Sequence, residues 1–522
     1  MKDTTLDDYI GQQTGVYIQD GTLVASEQIK PGTTLLVEQP LSSVPLPSKR
    51  HQRCNYCLRK AQLQCCSRCR SAYFCSNECF RNAWLHFHRV LCEPQVTDIY
   101  KDVDTDRWLL ERTALTLHSH IDLNKRRPHS PPHLPFTIHA LNQLQVSQSS
   151  TTPTQTVHDV AQFLASFDNE IASQDLDDLW LRIQKCSFPI QDSEHYLDQV
   201  AVGVYPITAL LVRHSCRPNA ALTYKQETQC IIALEDISPG EPITISYIDL
   251  ISTKAQRMME LKVRFGQAYE CHCVRCEGNL ASIDKALEKG ELLALSEQEA
   301  SIMVEEQIKQ WSVLKMMRHA EQREKDSWSP LKVLKLPEFA HYVSRISAPD
   351  LYSASFGIKK NPLPDSTYKL MIKEDRTHLM QRIPLAAMAI LNVPLVPSFT
   401  IATICEAERV LKDRIMTGRW VEASRCALYL YIAYRLLYPL LHPKLAYHTL
   451  VLARSGWNAL VEMELIGVER KLERIYANGA RAWIELAKYA VGGTFGSNST
   501  LWRDVVELQW VYDRERKVKA NQ

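Results

Sequence analysis

The chain has 522 residues, which is too long for one hydrophobic core, and so its length predicts about two to four domains. With 45% hydrophobic and 23% charged residues, the composition is that of a folded globular protein rather than a disordered one. The formal net charge of +2 excludes bulk attraction of the whole chain to nucleic acid or anionic lipid. The longest apolar stretch, residues 383–397, contains three prolines and is too short to cross a bilayer. We therefore expect no membrane contact and an intracellular location in the nucleus, the cytoplasm or both.

Half of the sixteen cysteines fall between Cys54 and Cys92. An intracellular location keeps thiols reduced, so that clustered cysteines indicate metal binding rather than disulfides. Zinc takes four nitrogen or sulfur ligands in a tetrahedron, and eight suitable ligands predict two closed structural sites. The ligands form four short-spaced pairs: Cys54 and Cys57, Cys66 and Cys69, Cys75 and Cys79, His88 and Cys92.

Two choices arise inside this cluster. Cys65 adjoins Cys66, but only Cys66 has the two-residue gap to Cys69, so we expect Cys65 to be a spare thiol. His86 competes with His88, and the single helical turn between His88 and Cys92 favours His88.

Residues 49–92 also carry nine lysines and arginines against one glutamate, a local charge of +8. This basic patch predicts either DNA contact or an ordinary solvated face.

Apolar residues recur at helical spacing in several segments after the cysteine cluster. The first such segment lies around residues 108–117. A second contains Val160, Phe163, Leu164 and Phe167, which share one helical face. Between them, residues 128–135 are rich in proline and histidine and residues 146–156 in serine, threonine and glutamine, which is typical of loops. Residues 296–325 are charged and favour a helix. From residue 399 onward, helical segments broken by glycine and proline indicate stacked helical hairpins.

A second cysteine cluster comprises Cys271, Cys273 and Cys276. Three ligands leave a zinc ion one short of its usual four. The spacing therefore predicts a third zinc site whose last ligand lies elsewhere in the chain.

Several motifs, in order, resemble those of the SET-and-MYND domain (SMYD-type) protein lysine methyltransferase family. The paired cysteines with YFCS at 73–76 and Trp84 resemble a MYND zinc finger, and the flanking motifs resemble a SET domain. These motifs are GTLVA at 21–25, IKPG at 29–32, GVYP at 203–206, RHSCRPN at 213–219 and GEPITISYID at 240–249. Cys271–Cys276 resembles a post-SET zinc knot, and the region after residue 280 resembles the family's tetratricopeptide-like domain.

The resemblance implies an α+β fold: a SET β-fold interrupted by a MYND zinc finger and a helical insert, then a post-SET zinc knot and an all-α tetratricopeptide-like C-terminal domain. The implied boundaries are 1–53 for the N-terminal SET part, 54–92 for the finger, 93–182 for the helical insert, 183–250 for the SET core, 251–280 for the post-SET region and 281–522 for the helical domain. Three zinc ions are implied. The first takes Cys54, Cys57, Cys75 and Cys79, the second Cys66, Cys69, His88 and Cys92, and the third Cys216, Cys271, Cys273 and Cys276.

The resemblance also implies S-adenosyl-L-methionine as cofactor and a lysine of a histone or another protein as substrate. Such an enzyme aligns a neutral amine with the methyl carbon and excludes water, and aromatic walls suit both tasks. Tyr247 matches the catalytic tyrosine and His214 a cofactor-contacting histidine. Phe188, Tyr205 and Tyr269 are either cofactor-pocket walls or ordinary core aromatics. A cleft capped by its own helical domain favours a monomer.

Five positions depart from the family pattern, four at the cofactor site and one, Gln267, on the substrate side. Arg213 and Cys186 replace asparagines, Asp20 and Thr22 stand where the opening loop has glycines, and Gln267 replaces a tyrosine. These departures support an alternative hypothesis of a different class. The chain would then be a catalytically inactive SET scaffold that binds partner proteins, including proline-rich peptides at the MYND finger, and others through its helical domain.

Overall fold

The computed structural model describes residues 6–92, 104–126, 132–145, 155–165, 173–192, 198–278, 282–289, 400–466 and 470–521. They form two compact units, of which unit 1 comprises residues 1–247 and 260–269 and unit 2 comprises residues 248–259 and 270–522. Most of the two predicted loops at 128–135 and 146–156, and the whole charged stretch at 296–325, lie outside the described residues.

The strands of unit 1 are short and form several small sheets. They are β1 (Val16–Gln19), β2 (Thr22–Ala25), β3 (Thr34–Glu38), β4 (Ser42–Pro45), β5 (Gln64–Cys65), β6 (Tyr73–Phe74), β7 (Ser187–Gln191), β8 (Gln199–Val204), β9 (Arg213–His214), β10 (Ala220–Lys225), β11 (Thr228–Ala233) and β12 (Thr244–Ile245). β3, β11 and β10 form one antiparallel sheet and β4, β8 and β7 another, whereas β9 pairs in parallel with β12. Strands far apart in sequence therefore meet in these three sheets, whereas β1–β2 and β5–β6 pair strands that are adjacent in the chain.

The helices of unit 1 lie between these strands. They are α1 (Leu6–Ile10), α2 (Asn77–Ala83), α3 (Arg89–Leu91), α4 (Thr105–Arg126), α5 (Leu134–Gln143), α6 (Gln155–Ala165), α7 (Ser173–Cys186), α8 (Pro206–Leu211) and α9 (Lys254–Phe265), of which α9 begins in unit 2. Of the predicted apolar face, Val160 and Leu164 are buried in a core shared with the cysteine-rich finger and Phe163 is partly buried against it, whereas Phe167 lies outside the described residues. A separate core contains the residues of β2, β3, β7, β8 and β11.

The described part of unit 2 is helical. It contains α10 (Ser282–Lys289), α11 (Ile401–Met416), α12 (Trp420–Leu437), α13 (Pro443–Ile466), α14 (Arg470–Phe495) and α15 (Thr500–Ala520). Gly418, which the sequence marks as a break, has a φ of +71° and ends the turn after α11, because glycine adopts this left-handed conformation without strain. α11 to α15 pack in sequence as antiparallel neighbours, each against the next.

The α+β fold class and its helical C-terminal region are confirmed. The six predicted domain boundaries stay predictions, because compactness divides the chain only into the two units given above.

Candidate functional site

The first cluster of ligands in the finger contains Cys54, Cys57, Cys75 and Cys79, whose sulfur atoms all lie within 4.8 Å of one another. Cys75 Sγ lies 3.6 Å from both Cys57 Sγ and Cys79 Sγ. A disulfide would need about 2.05 Å. By contrast, two thiolates on one zinc ion at about 2.3 Å each lie about 3.8 Å apart in a tetrahedron. The spacing of this cluster therefore fits a zinc ion.

The second cluster contains Cys66, Cys69, His88 and Cys92 and has the same dimensions. Cys66 Sγ lies 3.7 Å from Cys92 Sγ, and Cys69 Sγ lies 3.7 Å from His88 Nε2. A π-helical turn over Trp84–His88 connects α2 to α3 and buries His88. Burial lowers the pKa of His88 to about 4, so its imidazole is neutral, as a metal ligand must be.

The two residues that competed for these positions lie outside both clusters. His86 packs its ring against Tyr56, with 6.1 Å between the ring centroids. Cys65 is exposed on β5. The structure therefore places His88 and Cys66, rather than His86 and Cys65, beside the other candidate ligands, and their binding of zinc stays a prediction.

Of the third predicted ligand set, Cys216 lies in unit 1, and Cys271, Cys273 and Cys276 lie in unit 2. Within unit 2, a buried ion-pair network supports the last of these cysteines. Arg257 lies 3.9 Å from Cys276 Sγ and makes a bidentate ion pair with Asp284 at 2.7 and 2.8 Å. Guanidinium groups beside a thiolate offset the negative charge that a four-cysteine site carries.

The predicted catalytic residue, Tyr247, follows β12 in unit 1. Its hydroxyl donates hydrogen bonds to the backbone carbonyls of Val212 at 2.7 Å and Thr208 at 3.2 Å. Its ring lies 5.3 Å from that of Phe188 and 5.2 Å from that of Phe265. Burial raises the pKa of the Tyr247 phenol above its ordinary value, so the hydroxyl stays protonated at neutral pH. A neutral phenol thus lies beside two carbonyl oxygens and an aromatic wall.

His214 connects this tyrosine to a candidate zinc ligand. Its Nδ1 accepts a hydrogen bond of 3.2 Å from the backbone N–H of Tyr247, which assigns the ring hydrogen of the neutral form to Nε2. Nε2 lies 3.3 Å from Cys216 Sγ. Both nitrogens of the predicted cofactor-contacting histidine therefore have partners within the protein.

The three aromatic candidates occupy different environments. Tyr205 is fully buried, and its hydroxyl donates to the carbonyl of Glu227, as expected of a core aromatic. Phe188 is buried beside Tyr247. Tyr269 is half-buried and lies 4.8 Å from the ring of Phe265. The structure thus places Phe188 next to the ring of Tyr247, where the two rings form an aromatic wall (the Tyr247 wall), and it places Tyr205 in the core.

Two of the departures from the family pattern contact each other. Arg213 Nε donates a hydrogen bond of 2.7 Å to Thr22 Oγ1. Asp20 and Gly21 form the tight turn between β1 and β2, both with positive φ, and a side chain at Gly21 would meet no atom within 4 Å. The loop is therefore closed as a hairpin, and the space at its tip is open.

The other two departures lie apart from this pair. Cys186 is buried at the end of α7, where its sulfur donates to the carbonyl of Arg182 at 3.1 Å. Gln267 is exposed.

Sequence reasoning missed two charged residues near Tyr247. Glu38 is fully buried and accepts hydrogen bonds from the backbone N–H groups of Ile207 and Thr208, each at 2.8 Å. Arg264 places its guanidinium 4.8 Å from the centroid of the Tyr247 ring. The only sequence signal for Glu38 is its position at the end of an apolar strand, and Arg264 has none.

The basic finger is less exposed than its sequence implies. Arg53 forms a buried ion pair with Asp192, and Arg50 is buried as well. Six of the nine basic residues remain exposed: Arg59, Lys60, Arg68, Arg70, Arg81 and Arg89.

Comparison with known proteins agrees with this geometry. A family model described as SET domain matches residues 22–248. The Arabidopsis thaliana protein named histone-lysine N-methyltransferase ASHR1 is 26% identical over 260 residues, which cover 49% of this chain and 52% of that protein. Human histone-lysine N-methyltransferase SMYD3 is 28% identical over 264 residues, covering 49% and 58%. Human N-lysine methyltransferase SMYD2 is 27% identical over 260 residues, covering 48% and 55%. The chain thus spans little more than half the length of these relatives.

These observations define a SET-domain protein in which a cysteine-rich finger with two candidate zinc clusters interrupts the β-fold. Over about half of its length, the chain is similar to SMYD-type proteins that are named as lysine methyltransferases. None of its described helices combines the length and the apolar character that crossing a bilayer requires.

Proposed function

We propose that this protein is an S-adenosyl-L-methionine-dependent protein-lysine N-methyltransferase that acts on a histone or another protein. The observation that carries the proposal is the setting of Tyr247, whose hydroxyl is fixed by the carbonyls of Val212 and Thr208 and whose ring faces Phe188. A neutral hydroxyl, two carbonyl oxygens and an aromatic wall suit the alignment of an amine for transfer. Relatives named as lysine methyltransferases support the same reaction.

The cofactor would supply a methyl group on a positively charged sulfur. The residues present fit such a molecule in three respects. Arg213 offers a guanidinium for the carboxylate of its amino-acid end. The carbonyls of Thr208 and Val212 offer partial negative charge to polarised methyl hydrogens. The aromatic rings of Phe188 and Tyr247 attract cations and exclude water.

The chain itself would contribute orientation rather than covalent chemistry. The Tyr247 hydroxyl donates to carbonyls, so its oxygen remains free to accept, and an incoming amine can be oriented there with its lone pair directed inward. A fixed polar environment of this kind costs no reorganisation when the charge moves from sulfur to nitrogen. Phe188 and Phe265 close the apolar side of the site.

Zinc would have a structural role. We propose three ions per chain. The two finger clusters each supply all four ligands and leave no position for water. The family resemblance implies the third ion, for which Cys216 would supply the ligand that Cys271, Cys273 and Cys276 lack. Metal analysis of the purified protein should give three zinc ions per chain, and a value of two or fewer would refute this count.

Calorimetric titration of the zinc-loaded protein with S-adenosyl-L-methionine tests the proposal most directly, and we expect binding in the micromolar range. Transfer of radiolabelled methyl groups to core histones and to a lysine-containing peptide array then reports the reaction. Tyr247→Phe should leave folding and cofactor binding intact but abolish transfer. The matched control is Tyr429→Phe, which removes a buried phenol that donates to Thr403 in unit 2 at 3.0 Å. Normal transfer by Tyr247→Phe would refute the role of this hydroxyl.

One observation favours a second candidate, an inactive SET scaffold that binds partner proteins through its finger and helical domain. Arg213 and Thr22, which both depart from the family pattern, are joined by a hydrogen bond of 2.7 Å that occupies one donor of the guanidinium proposed to hold the cofactor carboxylate. The same titration separates the candidates. A zinc-loaded protein that does not bind S-adenosyl-L-methionine would be a scaffold, and its finger should then be tested against proline-rich peptides. DNA binding by the exposed basic residues of the finger would appear in that case as a salt-dependent gel shift.

A further inference from the structure

Arg264, near the end of α9, has a charged side chain that lies directly against the Tyr247 wall. Its Cζ atom lies 4.8 Å from the centroid of the Tyr247 ring and 4.6 Å from that of Phe188. The centroids of those two rings are themselves 5.3 Å apart. The guanidinium therefore contacts both rings at once, within the range of a cation–π interaction.

The guanidinium is also held by the backbone on its other side. Nη2 donates a hydrogen bond of 2.7 Å to the carbonyl of Ser187, and Nε donates one of 3.1 Å to the carbonyl of Lys185. These two carbonyls flank Cys186 at the junction of α7 and β7. Arg264 thus connects α9 to the strand that carries Phe188, and its position is fixed from two directions.

We propose that Arg264 is a positioning residue of the methyl-transfer site. Its guanidinium holds the rings of Tyr247 and Phe188 in place, and its fixed positive charge favours the neutral form of an amine beside the Tyr247 hydroxyl. The inference rests on the proposed function and extends it, since only a neutral amine has the lone pair that attacks the methyl carbon.

The electrostatic part follows from distance. An amine at the Tyr247 hydroxyl lies within one Debye length of the guanidinium, about 10 Å at 0.1 M salt, so mobile ions screen the repulsion only partly. Two like charges about 10 Å apart at an effective dielectric constant of about 20 disfavour protonation of the amine by roughly tenfold. Burial lowers the pKa of Arg264 itself, but a guanidinium keeps its proton in proteins.

Other ionisable groups also face this site. Those that interact with Arg264 or with Tyr247 are Cys186, Tyr224, Tyr269, Glu38 and His214. Burial raises the pKa of the thiol and of Tyr224, so both are neutral at physiological pH. Glu38 has its pKa raised by burial to about 7 and ionises in the working range. Measuring all variants at the same pH of 8, above the pKa of Glu38, removes pH as a variable while the charge of residue 264 is changed.

Two cofactor analogues serve as probes without any knowledge of the protein substrate. Sinefungin carries a protonated amine where the cofactor carries its transferable methyl, and S-adenosylhomocysteine has neither the methyl nor a charge at that place. The ratio of their dissociation constants, measured by calorimetry at pH 8, reports how strongly the site favours or disfavours a positive charge at the position of the methyl group. A purely structural role of Arg264 would change both affinities together and leave the ratio unaltered.

Arg264→Met removes the charge and retains most of the stem, and Arg264→Gln removes the charge but keeps a donor for the two carbonyls. We expect either variant to increase the affinity for sinefungin, relative to the affinity for S-adenosylhomocysteine, by about tenfold. Arg264→Lys keeps the charge and should retain the wild-type ratio. Arg112→Met is the matched control, since Arg112 is another buried guanidinium, 4.0 Å from the ring centroid of Phe87 near the finger. It should leave the ratio at the wild-type value.

The outcomes are distinct. A ratio within twofold of the wild type in both uncharged variants would overturn the role of Arg264, even if both analogues bind. A gain in methyl transfer at every pH on loss of the guanidinium would also overturn it, because Arg264 would then obstruct the amine. If the wild type binds neither analogue, the proposed function itself fails and this inference fails with it.

Discussion

Replacing Glu38 by alanine removes the acceptor that holds the start of α8. The carboxylate is fully buried and accepts hydrogen bonds from the N–H groups of Ile207 and Thr208 and, at 2.7 Å, from the Thr208 hydroxyl. The Thr208 carbonyl is in turn an acceptor for the Tyr247 hydroxyl. A change at Glu38 should therefore affect both stability and the position of the candidate catalytic group.

The magnitude follows from the groups left without a partner. Each buried N–H that loses its acceptor costs about 1–3 kcal/mol, and two are lost. The Thr208 hydroxyl retains Gln229 Oε1 at 2.7 Å and adds little. We therefore expect Glu38→Ala to lower the free energy of unfolding by roughly 4 kcal/mol. Glu38→Gln keeps one acceptor oxygen but turns an amide donor toward the second N–H, so its cost should be about 2 kcal/mol.

The pH dependence has a definite sign. Burial raises the pKa of Glu38 from 4.5 to about 7 in the folded protein. Between these values the folded state holds a proton that the unfolded state has released, so the stability that Glu38 contributes falls as the pH rises through this window. Part of this window lies between pH 6 and pH 8. Over that interval the wild type should lose about 1 kcal/mol relative to Glu38→Gln, which has no carboxyl to titrate.

Urea unfolding of the zinc-loaded protein at pH 6, 7 and 8 measures both effects for the wild type, Glu38→Gln and Glu38→Ala. Glu227 also has its pKa raised by burial to about 7, but it is present in all three proteins and cancels in the comparison. The reasoning is wrong if Glu38→Ala costs less than about 1 kcal/mol. It is also wrong if the difference between the wild type and Glu38→Gln does not change with pH.

Three further changes test other parts of the structure. Cys66→Ser should reduce the zinc content by one ion per chain in metal analysis, whereas Cys65→Ser, at the exposed neighbouring position, should leave it unchanged; equal losses would contradict the ligand set. Asp284→Asn should cost about 3 kcal/mol in urea unfolding, because it leaves two buried guanidinium groups without their counter-charge; a cost below about 1 kcal/mol would refute this. Gly203→Ala should cost about 1–3 kcal/mol, since its Cβ would lie 2.7 Å from the Tyr205 ring, and an unchanged melting temperature would show that the ring can move.

The sequence alone indicated those features whose residues lie close together in the chain. Two ligands separated by two or three residues reach one ion from a turn or a helical turn. The spacing of Cys66 to Cys69 and of His88 to Cys92 therefore already indicated metal binding. The SET motifs could be recognised in order for a similar reason, since each is a short segment with its own turn or strand. The choice of His88 over His86 was also within reach, although the sequence gave no sign of the π-helical turn that buries His88.

Partners that are distant in the chain depended on the tertiary structure. Glu38 reaches an N–H group 169 residues away, and Arg264 reaches the carbonyl of Ser187, 77 residues away. Nothing in the residues around either one predicts such a partner, because the contact arises only when separate sheets and helices pack together. The contact between Arg213 and Thr22 is also a long-range one, because the two residues lie 191 positions apart in the sequence. The sequence thus indicated the candidate metal ligands and the resemblance to SET-domain proteins, whereas long-range packing decided which charges surround Tyr247.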